Sequence, residues 1–314
     1  MTIESKLPGV GTTIFTIMSQ MASDHGAINL SQGFPDFSPP EKLLAMFEKY
    51  LHGGYNQYPP MSGVPYLREQ ISLKLRRLYQ ADLDPDTNIT VTSGATESLF
   101  VAIQTVVKSG DEVIVFDPAY DSYEPAITLA GGQTIHVPMT APEFHLDFDR
   151  LTDLLNDKTR LIILNSPHNP CGSIISALDL EKLAELTRPY DLYLLSDEVY
   201  EHMVYDGATH HSLLTHEELR SRSFVVSSFG KTYHATGWKV AYCAAPVALT
   251  AEFRKIHQFV TFTTHTPTQW ALAEYMEQYP EHYQRLPDFY QAKRDLFNSA
   301  MADSGFNLTP SAGS

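Results

Sequence analysis

Short apolar runs that end in turn-forming residues, with helical-period stretches between them, set the organisation of the chain. Ile89-Thr90-Val91-Thr92, Glu112 to Phe116, Leu161 to Leu164, Leu192 to Leu195 and Phe224-Val225-Val226 read as buried strands. Pro40 opens a predicted helix with Leu43, Leu44, Phe47 and Leu51 on one face, ended by Gly53-Gly54. A second helix begins near Pro65 and carries Leu67, Ile71, Leu75 and Leu78 at helical spacing. Ser93 to Glu97 is a small-residue turn, followed by a helix from Ser98 to about Val107. A late helix runs from Leu286 to about Ala302. Residues 1–40 show little periodicity and many Gly and Pro, which predicts an extended arm. Within it Ile28-Asn29-Leu30 reads as a short strand before Gly33, and Tyr55 to Pro60 as an exposed aromatic loop. Apolar runs alternating with helices predict an α/β fold, a mostly parallel sheet with helices on both faces.

Composition narrows the function classes. A chain of 314 residues holds one large α/β domain plus a smaller one. The net charge of −15 argues against a nucleic-acid partner, which needs clustered lysine and arginine. No apolar run is long enough for a membrane span, and the N-terminus lacks the layout of a signal peptide. Two cysteines, Cys171 and Cys243, are too few for a disulfide framework and point to a reducing cytoplasm. A bridge between the two stays open at this stage. The 13 histidines form no His-Glu-x-x-His or Cys-x-x-Cys pattern, so no metal is expected. A serine hydrolase would need a Gly-x-Ser-x-Gly elbow, and none is present.

The chemistry gathers at the strand ends. Lys231 sits between Gly230 and Thr232, just after a buried strand. Desolvation there lowers an amine's pKa and suits it to condense with an aldehyde, although most such lysines simply reach for solvent. The Gly94 turn feeds a helix N-terminus and can hold a phosphate. Other strand ends deliver Tyr120, Asn169, Asp197 and Tyr200. Ligands of open α/β sheets bind at this edge. One ligand fits the set: a phosphate, an aromatic ring with a basic nitrogen, a phenolic oxygen and an aldehyde, as in pyridoxal 5'-phosphate. Asp197 needs a cation, which a pyridinium nitrogen supplies. Asn169 and Tyr200 can bond the phenolic oxygen, and Tyr120 can stack on the ring. Ser228 and Lys239 can reach the phosphate, and Lys231 the aldehyde.

These residues carry a resemblance. Asn165-Ser166-Pro167-His168-Asn169-Pro170-x-Gly172, Ser196 to Tyr200, Ser228-Phe229-Gly230-Lys231 and Thr236 to Val240 lie in order along the chain, with Ser93 to Thr96 and Asn56-Gln57-Tyr58 upstream. Together, from about Phe34 to Lys239, they are similar to the fold-type-I pyridoxal-phosphate aminotransferases of class I/II. The likeness is strongest to the kynurenine (glutamine-type) and bacterial methionine aminotransferase branch. The resemblance implies a seven-stranded sheet and a large cofactor-binding domain over 41–285. It adds an N-terminal arm over 1–40 and the start of a small domain over 286–314. It implies that Gly94, Ala95, Thr96, Ser228 and Lys239 hold the phosphate. Tyr58 would join them from the neighbouring subunit of a homodimer. Lys239 stands where many members have arginine; it keeps the charge without the planar fork. Gly33 and Asn169 would contact the substrate carboxylate, and the arm near Ile14 and Phe15 would border the side-chain pocket. Lys231 would act as the catalytic amine, Asp197 on the ring nitrogen and Tyr200 beside it, passing amino groups from an apolar or aromatic L-amino acid to a 2-oxo acid.

One departure stands out. No arginine here matches the family's carboxylate-binding arginine of the small domain. The expectation is a chain shortened at its C-terminus, with apolar surface exposed around Phe297 and Met301 and with cofactor binding and turnover weakened. A carbon–sulfur β-lyase and an inactive cofactor-binding remnant are the alternatives.

Overall fold

The computed structural model describes residues 3–31, 33 and 35–314. Gln32 and Phe34, at the start of the predicted motif span, lie outside the described residues, as do Met1 and Thr2. The elements run α1 (Ile14–Asp24), α2 (Glu41–His52), α3 (Pro65–Tyr79), β1 (Ile89–Thr92), α4 (Ala95–Val106), β2 (Glu112–Asp117) and α5 (Tyr123–Ala130). Then come β3 (Gln133–Pro138), α6 (Phe148–Leu154), β4 (Thr159–Asn165), α7 (Ala177–Thr187), β5 (Tyr193–Asp197) and α8 (Glu217–Arg220). Last are β6 (Ser223–Ser228), α9 (Phe229–Thr232), β7 (Ala241–Ala244), α10 (Val247–Val260), α11 (Thr266–Gln278) and α12 (Leu286–Ala300).

The seven strands form one sheet in the order β1-β7-β6-β5-β4-β2-β3. β7 alone runs against its neighbours, β1 and β6, while the pairings from β6 through β3 are all parallel. Each predicted apolar run is one of these strands. Side chains alternate between the faces, so Ile114, Phe116, Ile162, Leu164, Leu194 and Val225 enter one core. Val113, Val115, Leu161, Ile163, Leu195, Phe224 and Val226 enter the other. Helices cover both sides, which is why these strands read as unbroken apolar runs. Two strands escaped the sequence reading for opposite reasons. β3 is an edge strand in which only Val137 is buried, and β7 is wholly buried but built of Ala241, Tyr242, Cys243 and Ala244.

Four expectations are corrected. The arm is not extended throughout: Thr13 caps α1 by accepting the Thr16 N–H at 3.3 Å. Ile14, Ile17 and Met21 lie along α1 but are exposed. Ile28 and Leu30 form no strand and are 85% and 81% exposed. α4 begins at Ala95, not Ser98, because Gly94 at φ 84° already turns the chain. Its carbonyl accepts the Ser98 N–H at 3.3 Å. On α2 the buried face is Leu43, Met46 and Tyr50, while Leu44 and Leu51 are partly exposed. The helix is rotated toward α11, where Lys49 pairs with Glu274 at 2.7 Å.

The bridge left open between the cysteines is absent: both are free thiols. Phe289, Leu296 and Phe297 of α12 are exposed, and only Leu286 of that helix is buried. Among the described residues no helix is long and apolar enough to cross a membrane. Leu194, at the centre of the sheet, is fully buried. Leu194→Ala is expected to cost about 2–5 kcal/mol, read from denaturant melts; a change under about 1 kcal/mol would mean that the sheet centre is loosely packed.

Candidate active site

Strand register brings the chemistry together. Thr92 and Ser228 both pair with Ala241, so the Gly94 turn, the end of β6 and the Lys239 segment meet at one level. Asn165 pairs with Asp197 and Asp197 with Val226, which places the next strand ends alongside. Sheet pairing, not proximity in sequence, builds the site.

Lys231 lies on α9, the single helical turn that follows β6. Its Nζ donates to the Gly33 carbonyl at 3.0 Å and stands 5.0 Å from the centre of the Tyr200 ring. Burial lowers its pKa, and the charge of Asp197 partly offsets that. The arm thus reaches the amine through the backbone of Gly33.

Asp197 is only 4% exposed. Burial pushes its carboxyl up to about 6, against hydrogen bonds from Tyr123 and the Val199 N–H that lower it. The Tyr123 hydroxyl donates to Oδ2 at 2.8 Å. Tyr123 was missed by the sequence reading, although its place three residues after Tyr120 was a usable signal. The two rings meet edge-on at 5.7 Å. Tyr200 is half-buried, its phenol pushed up to about 12 by burial and by Asp197.

The loop carrying Tyr200 is tied down on both sides. Glu198 accepts from the Ser196 hydroxyl at 2.8 Å and the Leu213 N–H at 3.0 Å, and it faces His210 at 3.0 Å. Glu201 pairs with Lys74 at 2.6 Å in full burial and accepts from Tyr79 and Ser227. Burial alone would raise the Glu201 pKa, but Lys74, His202 and these hydrogen bonds hold it well below the usual carboxylate range. Asn165 serves the next loop: its amide donates to the Asp197 carbonyl at 2.9 Å, and its oxygen accepts the Asn169 N–H at 2.8 Å. Asn169, Asp197 and Tyr200 are therefore held as one unit.

The opposite end suits an anion. Gly94 is buried at φ 84°, a conformation that favours glycine. A Cβ there would lie 3.0 Å from Cε and 3.2 Å from Nζ of Lys239. The ammonium therefore lies close to Gly94, the N-cap of the 12-residue α4. Ser228 closes the cradle from β6, where its hydroxyl accepts the Gly230 N–H at 3.2 Å. An anion cradle, a buried acid with a raised pKa and an amine with a lowered one match the phosphate, ring nitrogen and aldehyde of the expected ligand.

Two predicted residues are not brought in. Tyr58 is 84% exposed and meets Phe262 edge-on at 5.5 Å. It lines a hollow of about 410 Å³ with Asn56, Thr264 and His265. Phe15 is half-buried on α1. Among the described residues neither has a hydrogen bond or ring contact to the strand-end cluster.

A raised acid favours folding while protonated and loses that contribution as pH rises through its folded pKa. For Asp197 the window runs from an ordinary 3.8 to about 6, with Tyr123, Glu198 and Lys231 as its ionisable neighbours. Without ligand, Asp197→Asn is expected to gain stability over the native chain between about pH 4 and pH 7, on the order of 2–3 kcal/mol. Denaturant melts at the two pH values check this; a pH-independent difference would contradict it.

The profile of the family described as aminotransferase class I and II matches residues 25–314. The methionine aminotransferase of Escherichia coli (strain K12) is 50% identical over 310 residues, spanning 99% of this chain and 80% of the relative. Kynurenine–oxoglutarate transaminase 1 of Rattus norvegicus is 33% identical over 329 residues, spanning 98% and 78%. A solved Escherichia coli structure described as having a methionine aminotransferase function superposes with a TM-score of 0.97 at 48% identity, covering 100% of this chain and 82% of that one.

Proposed function

Because the chain belongs to the class I and II aminotransferases and is a pyridoxal-phosphate-dependent transaminase, we propose that the strand-end cluster is its catalytic centre and that its donors are apolar or aromatic L-amino acids. The observation that carries the assignment is the placement of Lys231 and Asp197 at the ends of adjacent strands, with a cradle for an anion beside them. The donor class rests on the likeness to the methionine and kynurenine enzymes.

The residues divide the work. Amides of Gly94, Ala95 and Thr96, the Ser228 hydroxyl and the Lys239 ammonium would hold the phosphate. Asp197, steadied by Tyr123, would pair with the ring nitrogen and favour its protonated form. Asn169 and Tyr200 would bond the phenolic oxygen, and Tyr120 would stack on the ring. Bound there, the cofactor supplies an aldehyde carbon for amine exchange and a protonated ring able to take up an electron pair. Lys231 would take the substrate's α-proton as base and hand it back as acid; its lowered pKa suits both roles. Two half-reactions give ping-pong kinetics with a 2-oxo acid as second substrate.

Gly33 and Asn169 receive the substrate carboxylate in this reading, and Phe15 borders its side chain. Tyr58 completes the phosphate site of a second copy, making the enzyme a homodimer. Its exposure beside the Thr264–His265 hollow supports that role. The cradle and Lys231 fall within a cofactor domain spanning 41–285, flanked by the arm (1–40) and a small-domain segment (286–314). The free thiols support a cytoplasmic setting.

Lys231→Ala is expected to lose the visible absorbance of the bound cofactor and at least about 10²-fold in turnover. A donor panel of methionine, phenylalanine, tyrosine, kynurenine and aspartate tests the substrate class. Retained turnover in Lys231→Ala, or a preference for aspartate, would overturn the respective half of the proposal. Release of pyruvate and ammonia without a 2-oxo acid would favour the β-lyase instead.

A further inference from the structure

A further buried pair lies behind the anion cradle. His257 on α10 is 0% exposed, and Glu97, in the first turn of α4, is 8% exposed. His257 Nδ1 stands 2.6 Å from Glu97 Oε1, and His257 Nε2 stands 3.0 Å from the Met61 carbonyl. A carbonyl only accepts, so Nε2 carries a hydrogen. The proton on the other side lies between Nδ1 and the carboxyl. Glu97 Oε2 accepts the Ser93 N–H at 2.5 Å. One pair therefore joins three segments: the turn at Ser93-Gly94, α10, and the loop that carries Tyr58 three residues before Met61.

The consequence is directional. Glu97 draws the Ser93 amide back into the protein and fixes the chain just before the positive-φ turn at Gly94. Ala95 and Thr96 open α4 directly after Gly94, against which the Lys239 side chain packs. Through Met61, His257 sets how far the Tyr58 loop stands from this turn. We propose that Glu97 and His257 are positioning residues for phosphate recognition, orienting the cradle without touching the ligand. The inference rests on the placement of the cofactor phosphate at Gly94, Ala95 and Thr96.

A buried ion pair can also be an ordinary part of the core. Comparing pyridoxal phosphate with pyridoxal separates the two roles, because only the first presents a phosphate. The full chain, stripped of cofactor, is titrated with each and followed by absorbance. In His257→Leu and Glu97→Ala the affinity for pyridoxal phosphate is expected to fall about 10-fold or more, while that for pyridoxal changes by less than about twofold. Glu97→Gln, which can still accept from Ser93 and donate to a neutral Nδ1, is expected to keep the native ratio. If His257→Leu fails to fold, Glu97→Ala gives the same readout. Proportional loss of both ligands, or loss of neither, would overturn the positioning role. Thr96→Ala and Lys239→Ala test the underlying placement: an unchanged ratio in both would show that the phosphate lies elsewhere, whatever His257 does.

Discussion

A carboxyl group sealed at the end of a central strand is costly, and the arrangement around Asp197 answers that cost. Tyr123 and the Val199 amide supply hydrogen bonds, and Lys231 supplies a nearby positive charge. They leave the acid still raised toward neutrality, so a cationic partner such as the proposed ring nitrogen would satisfy it. The same closeness lets the Asp197 charge moderate the lowering of the Lys231 pKa. Acid and amine are thus tuned as a pair by burial.

Rigidity behind the candidate site comes from partnered polar and charged side chains. Glu201 and Lys74 clamp the Tyr200 loop to α3, Asn165 ties the Asn169 loop to β5, and Glu97 with His257 backs the Gly94 turn. Glu201, Lys74, Glu97 and His257 are buried with partners and Asn165 is partly buried with partners, the condition under which such groups hold a geometry instead of disrupting it. The contacts reach from α3 on one face of the sheet to α10 on the other, so the site is braced from both sides.

Much of this was legible in the residues. The strands that carry Asn165, Asp197 and Ser228 are apolar because both faces are covered, and their polar ends interrupt the pattern abruptly. What stayed hidden depended on pairing. β7 is only four residues, Tyr242 and Cys243 between two alanines, too short for a strong strand signal, yet its register with β1 and β6 brings Lys239 to Gly94. Tyr123 and His257 gain meaning only from partners 74 and 160 positions away. α1 was obscured by neighbouring Gly and Pro and by the absence of any buried residue on it. Tyr58 and Phe15 were named through family likeness, and their surroundings within one chain do not join them to the cluster.

The account turns on Asp197 holding a protonated nitrogen opposite the Lys231 amine. Nitrogen-15 NMR of ring-labelled cofactor bound to the native chain and to Asp197→Asn measures this directly. The account predicts a protonated ring nitrogen at neutral pH in the native chain and an unprotonated one in the variant. The same protonation state in both would contradict it.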